Sequence, residues 1–355
     1  MTMRRHWILI VASVLLAAAS LLLLAGCSKP IVTRHEVAMD TAWEFTVTGL
    51  ALEAAEVGIA DAVAIVRDVE ARDSLFDPRS ELSRFNAAGP RGLDAPSTGF
   101  LEVLRIAREA AELSNGAFDI TVAPLVRLWG FAGSPRTTPP SDAQVARARR
   151  RVGYKRVRLP LLRDRNSAGW AYGRPSLAWG TEADLGGIAK GFAVDQALAV
   201  LRRRGVTSAL INAGGQVGAI GRRPDGGTWR IGIQHPRRPA ALLGVLELTN
   251  ASVSTSGDYQ KYFEADGVRY HHILNPRTGR PARGLMSATV VVFHPGAEGQ
   301  GAWADALSTA FFVMGPDAAL RLVSRLTGVE CVLVTDDSPP RILVSPGLRH
   351  LALAW

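Results

Sequence analysis

The sequence predicts an α+β fold in which antiparallel or mixed sheets are packed with helices. Two observations carry that expectation. Apolar residues recur at helical spacing in a few stretches, about 51–72, 97–114, 184–205 and 301–314. Between and after them lie strand-length apolar runs joined by tight-turn signals, such as Gly214-Gly215 and Ala265-Asp266-Gly267.

In chain order, residues 1–26 read as a signal peptide. Arg4 and Arg5 precede an almost wholly apolar run from Trp7 to Leu24, and Leu24-Ala25-Gly26-Cys27 resembles a bacterial lipobox. Cleavage before Cys27 and lipidation of its thiol predict a chain tethered to the cell envelope, facing the periplasm; an uncleaved membrane anchor is the alternative. Residues 27–36 then form the lipidated start and a tether, and 37–355 a single folded domain. The other cysteine, Cys331 in CVLVT, is left as a buried free thiol, so stability rests on a core rather than a disulfide.

Loss of Arg4 and Arg5 lowers the formal net charge from +9 to +7. Of 41 basic residues only Lys29, Lys155, Lys190 and Lys261 are lysine, a skew that reads as coding bias and not as a nucleic-acid surface. The dense cluster from Arg147 to Arg158 follows an N-cap-like Ser141 and reads as a solvated helix face, with a site for an anionic partner or membrane surface as the alternative. No nucleic-acid partner is expected.

The helix at 51–72 sets Val57, Ile59, Val63, Ile65 and Val69 among Ala and acidic positions. Asp77-Pro78 turns the chain after it, and Ser80-Glu81 opens a short helix. The helix at 97–114 stops at Asn115-Gly116. In GAFDITVAPLVRLWGF, Asp119 lies among apolar neighbours, where a carboxylate must cap a turn, be paired, or be used. Residues 159–179 read as a hairpin or variable excursion.

Residues 184–221 organise the rest. Asp184 stands where an N-cap belongs, and Gly205 follows the basic turn Arg202 to Arg204 as a C-terminus prefers. Gly186 and Gly187 let backbone approach a ligand, and Lys190 adds positive charge near outward-pointing amides. That corner suits a phosphate, or else a glycine needed for tight helix–sheet packing.

Beyond it, SVSTSGDY crowds hydroxyls about a turn, with the texture of a binding surface. His272 falls at a strand end, a natural general base or a structural histidine. In the helix at 301–314, Asp305, Ser308 and Thr309 share one face, hard donors suited to Mg2+ or simply an exposed polar side.

Seven blocks in one order, SLFDPRSELSRFN, GAFDITVAPLVRLWGF, DLGGIAKGFAVD, INAGGQVGAIG, STSGDYQKYF, YHHILNPRTGRP and ADALSTAFFVMG, resemble the ApbE-type FAD:protein FMN transferases over about residues 39–315. The resemblance implies an ApbE-like, T-fold-like unit of two intertwined lobes. It implies transfer of FMN from FAD to a Thr or Ser hydroxyl of an acceptor protein, with Mg2+ as cofactor and release of AMP. Family acceptors include subunits of membrane redox complexes.

By the same matching, Met39, Ser74, Leu75, Phe76, Ala117, Phe118, Asp119, Asp184, Gly186, Gly187, Lys190 and Ile273 would contact FAD. Asp305, Ser308, Thr309 and a carbonyl from Gly187 to Ala189 would hold the metal. His272 would be the base, with Lys190 beside the phosphates. Phe76, Asp40, Gln216 and Asn275 depart from the usual Tyr, Gly, Asp and Asp. A FAD pyrophosphatase and a flavin-binding lipoprotein without chemistry are the competing expectations.

Overall fold

Eight strands form one antiparallel sheet whose spatial order is the chain order. They are Val32–Ala38 (β1), Thr41–Thr48 (β2), Ser208–Ala213 (β3), Gln216–Ile220 (β4), Ala251–Gly257 (β5), Leu285–Phe293 (β6), Val329–Thr335 (β7) and Ile342–Val344 (β8). The structure is a computed structural model, and it describes residues 30–163, 170–293 and 299–350. Residues 1–26, read as a signal peptide, and Cys27, read as the lipidation site, lie outside those residues. β1 begins at Val32, so residues 32–36, read as tether, are the sheet's first edge.

Tight turns set the register. β1 and β2 join through Met39 and Asp40, both at positive φ, and β3 and β4 join through Gly214 and Gly215, also positive. Such two-residue turns match the twist of the flanking strands. They place Phe45 opposite Ile211 and Leu210 opposite Ala219.

The helices are Leu52–Asp73 (α1), Glu81–Ala88 (α2), Thr98–Leu113 (α3), Ala123–Leu128 (α4), Asp142–Arg149 (α5), Ala189–Arg203 (α6), Gln300–Met314 (α7) and Pro316–Val323 (α8). α1 packs on α6, α6 on α7, and α7 on β5 and β6. α1 buries Ile59, Val63, Val66 and Val69, but Val57, expected on that face, is exposed. Ser141 caps α5 through its hydroxyl, as its sequence position predicts, and Ser97, read as the first helical residue, caps α3 in the same way.

The opposite face of the sheet is covered by the hairpin Trp229–Gln234 with Leu242–Leu248, whose Ile231, Ile233, Leu243 and Leu246 meet Val217, Val253 and Val334. A smaller cluster joins α4 and α5 to the hairpin Tyr262–Ala265 with Val268–His271, around Leu125, Trp129 and Leu274. Trp129 stacks on Tyr270, and its indole N–H donates to Gly279 O at 2.8 Å. Cys331 is a free thiol inside β7, and burial pushes it up to about 12. The α+β expectation therefore holds, with one large antiparallel sheet between two layers.

Candidate active site

The glycine corner before α6 is built by its own backbone. Leu185 O accepts from Ile188 N and Ala189 N, so α6 starts at Ala189 with Ile188 in the capping position. Asp184 is therefore not the helix cap. Its Oδ1 instead accepts from Gly186 N at 2.8 Å, one turn early, while Asp184 N donates to Ile120 O at 2.6 Å. Asn86 of α2 brackets Ala183, accepting from its N–H and donating to its carbonyl.

A Cβ built on Gly187 would lie 3.3 Å from Phe118 Cε2 and 3.5 Å from Thr309 Oγ1. Two predicted stretches distant in sequence thus meet the late helix at one point. Asp119 is not part of that contact. Its Oδ1 caps the turn Ile120–Val122, accepting from Thr121 N at 2.8 Å and Thr121 Oγ1 at 2.6 Å, and burial raises its carboxyl. Ala117 is buried in the turn before it.

Asp305 is only 5 % exposed, and among the described residues it has no Lys or Arg ion pair. It accepts from Gly191 N at 3.0 Å and Ser254 Oγ at 3.4 Å. A buried carboxylate needs a partner or a cation. One helical turn on, Thr309 adds a hydroxyl oxygen, 3.5 Å from a Cβ built on Gly187. Carboxylate and hydroxyl oxygens of this kind fit a hard cation such as Mg2+.

Ser308 differs from its helix neighbours. It is fully buried, its Oγ donates to Asp305 O at 2.9 Å and lies 2.9 Å from Ser256 Oγ, so its oxygen is taken up inside the scaffold. SVSTS is likewise no surface. Every second residue, Ser252, Ser254 and Ser256, is buried in β5, and Ser254 and Ser256 bond to α7.

The two adjacent histidines separate cleanly. His271 is buried, with Nε2 2.9 Å from Ala282 O and Nδ1 accepting from Ile273 N at 3.3 Å. His272 is half-buried. Its Nδ1 faces Lys261 O at 3.2 Å, and a carbonyl only accepts, so Nδ1 carries the proton and Nε2 keeps its lone pair. Burial lowers His272 to about 4, with His271, Lys190 and Lys261 adding to the effect, so the ring is neutral at pH 7.

Lys190, Lys261 and Arg127 all act on Asp184, opposing the burial that raises its carboxyl. Lys261 and Arg127 were not singled out in the sequence, although the scarcity of lysine marks Lys261 as well as Lys190. Arg127 is ion-paired with Glu182 and lines an open groove with Arg136, Arg147 and Arg151. Lys261 Nζ lies 3.2 Å from Asp40 Oδ2, so Asp40 ties the Met39-Asp40 turn to the residue whose carbonyl holds His272. Met39 N in turn donates to Glu70 Oε1 at 2.6 Å.

Two predicted groups lie further out. Ser74 Oγ accepts from Phe76 N and Asp77 N, folding a turn that leaves Leu75 against the core and Phe76 75 % exposed. This turn reaches the glycine corner through α2 and Asn86. Ile273 is buried in the main core and its carbonyl accepts from Ala282 N at 2.9 Å.

Taken with the fold, a neutral imidazole, two lysines acting on it and a buried carboxylate without an ion pair suit an enzyme of group transfer. Residues 39–333 match the ApbE family, and the chain belongs to it. A FAD:protein FMN transferase of Vibrio cholerae is 32% identical over 336 residues, spanning 91% of this chain and 94% of that protein. One from Haemophilus influenzae is 32% identical over 334 residues, spanning 91% and 93%. The crystal structure of the ApbE protein of Thermotoga maritima superposes with a TM-score of 0.78 at 31% identity, over 90% of this chain and 98% of that one. The apo flavinyl transferase ApbE of Pseudomonas stutzeri gives 0.75 at 30% identity, over 90% and 96%.

Proposed function

We infer that the chain is a flavin transferase that moves FMN from FAD to an acceptor protein. The observation that carries this reading is the meeting of Gly187, Phe118 and Thr309 beside the unpaired Asp305. The names of its relatives support the same activity.

In the proposed reaction a Thr or Ser hydroxyl of the acceptor attacks the FMN phosphorus of FAD. The anhydride bond to the AMP phosphate breaks and AMP leaves. His272 Nε2 takes the hydroxyl proton as the new O–P bond forms, its Nδ1 held on Lys261 O. Gly186 and Gly187 let the diphosphate approach the backbone, and Lys190 with Lys261 places positive charge against it. A Mg2+ ion held by Asp305, Thr309 and a carbonyl from Gly187 to Ala189 would neutralise the charge that gathers on the diphosphate. The lipobox supports attachment at Cys27 to a periplasm-facing membrane surface.

The test is incubation with FAD, Mg2+ and an acceptor domain encoded by a neighbouring gene, followed by intact-mass analysis. Gain of one FMN unit on the acceptor supports transfer. Free FMN released at the full turnover rate, with no mass gain, replaces it with hydrolysis. Asp305→Ala should lose turnover by losing metal, and unchanged turnover would remove Asp305 from the site.

A further inference from the structure

α6 and α7 cross with their backbones in contact. A Cβ on Gly191 would lie 2.0 Å from Gly301 O, and one on Gly301 would lie 2.5 Å from Gly191 O. Each glycine is followed four residues later by an aspartate, Asp195 in α6 and Asp305 in α7. The two aspartates exchange partners across the crossing. Asp305 Oδ2 accepts from Gly191 N at 3.0 Å, while Asp195 Oδ1 and Oδ2 accept from Gly301 N at 2.7 Å and Ala302 N at 2.9 Å.

The exchange is unequal. Asp195 has both oxygens committed to first-turn amides of α7, groups that the helix itself leaves unbonded. Asp305 has one strong amide partner and a long contact to Ser254, which leaves it room for a further ligand. Gln216 adds a third tie, its Nε2 donating to Gly301 O at 3.3 Å. Its Oε1 is buried with no partner, so this side chain is held for the bond its amide nitrogen makes.

We propose that Asp195, aided by Gln216, is a positioning residue for Asp305: the two fix the register of α7 on α6 and so hold Asp305 beside the Gly187 corner. Neither touches the cation or the substrate. The inference rests on Asp305 being a cation ligand, and the controls separate the two claims.

The test is binding of Mn2+ to the whole protein without FAD, followed by electron paramagnetic resonance. Loss of an outer partner weakens metal sites by about 10- to 100-fold. Asp195→Asn, which keeps the shape but sets an NH2 against a backbone N–H, should raise the Mn2+ dissociation constant by about tenfold or more. Gln216→Met, which removes the donation to Gly301 O together with an amide oxygen that has no partner, should raise it by a smaller factor and serves if Asp195→Asn does not fold. In an Asp305→Asn background neither change should weaken binding further. Wild-type Mn2+ affinity in folded Asp195→Asn, or in Gln216→Met should the first not fold, overturns the proposal. Wild-type affinity in Asp305→Ala overturns instead the metal assignment on which it depends.

Discussion

The ring of His271 sits between Ala282 O and Ile273 N with an edge on Phe312 at 5.3 Å, and burial lowers it to about 4. An unfolded chain protonates this ring near 6.5. Between those values the unfolded state binds the proton and the folded state does not, so stability rises with pH. Its contribution is intact above about 6.5 and lost as pH falls toward 4, to a limit of about 3 kcal/mol. Denaturant titrations at pH 7 and pH 4.5 should therefore show a smaller acid loss in His271→Gln than in the wild type. Equal losses would place the acid sensitivity elsewhere. One residue on, His272 makes a different prediction. His272→Asn should lower transfer by about 10²- to 10⁴-fold, the range for a lost proton acceptor, while FAD affinity measured by fluorescence is kept. A parallel loss of binding and rate would make the ring a contact and not a base.

At the scale of elements, α6 shows how glycines with different duties respond to the same change. Gly205 has φ +80 with no atom within 4 Å of a built Cβ, and it ends the helix with Gly205 N on Arg202 O and Val206 N on Leu201 O. Gly205→Ala is opposed only by the left-handed backbone, so thermal unfolding should show a loss of about 1 kcal/mol. Gly191→Ala drives a methyl into Gly301 O at 2.0 Å and should cost more, with loss of metal binding. The reverse order would overturn the packing assigned to the crossing.

The helix's C-terminal end was legible in the sequence because the basic turn and the glycine act locally. Its start was not: Leu185 O accepts both leading amides, which left Asp184 free to bond Gly186 instead. SVSTS was misread for a related reason. A row of hydroxyls looks solvated until α7 supplies the partners, and no property of the strand alone announces that helix. Asp195 was hidden in the same way, as one acidic position in a helix whose partners are amides a hundred residues away.

At the scale of the whole molecule, the sheet separates two tasks. Its helix-bearing face carries β5 serines toward α7 and so supports Asp305 and Thr309. Its other face carries Val217, Val253, Val332 and Val334 against the hairpin that contains Leu246. The strands between them are buried on both sides, which is why β6 is buried at every position from Leu285 to Val292, Ser287 and Thr289 included, and not at alternate ones. Changes on the two faces should therefore separate in experiment. Leu246→Ala leaves a cavity under the hairpin and should cost about 2–5 kcal/mol of stability. Because the helix-side hydrogen bonds of β5 do not pass through that layer, the folded variant should bind Mn2+ with wild-type affinity. A dissociation constant raised tenfold, measured well below the variant's unfolding transition, would show that the far layer sets the geometry of the site through the sheet.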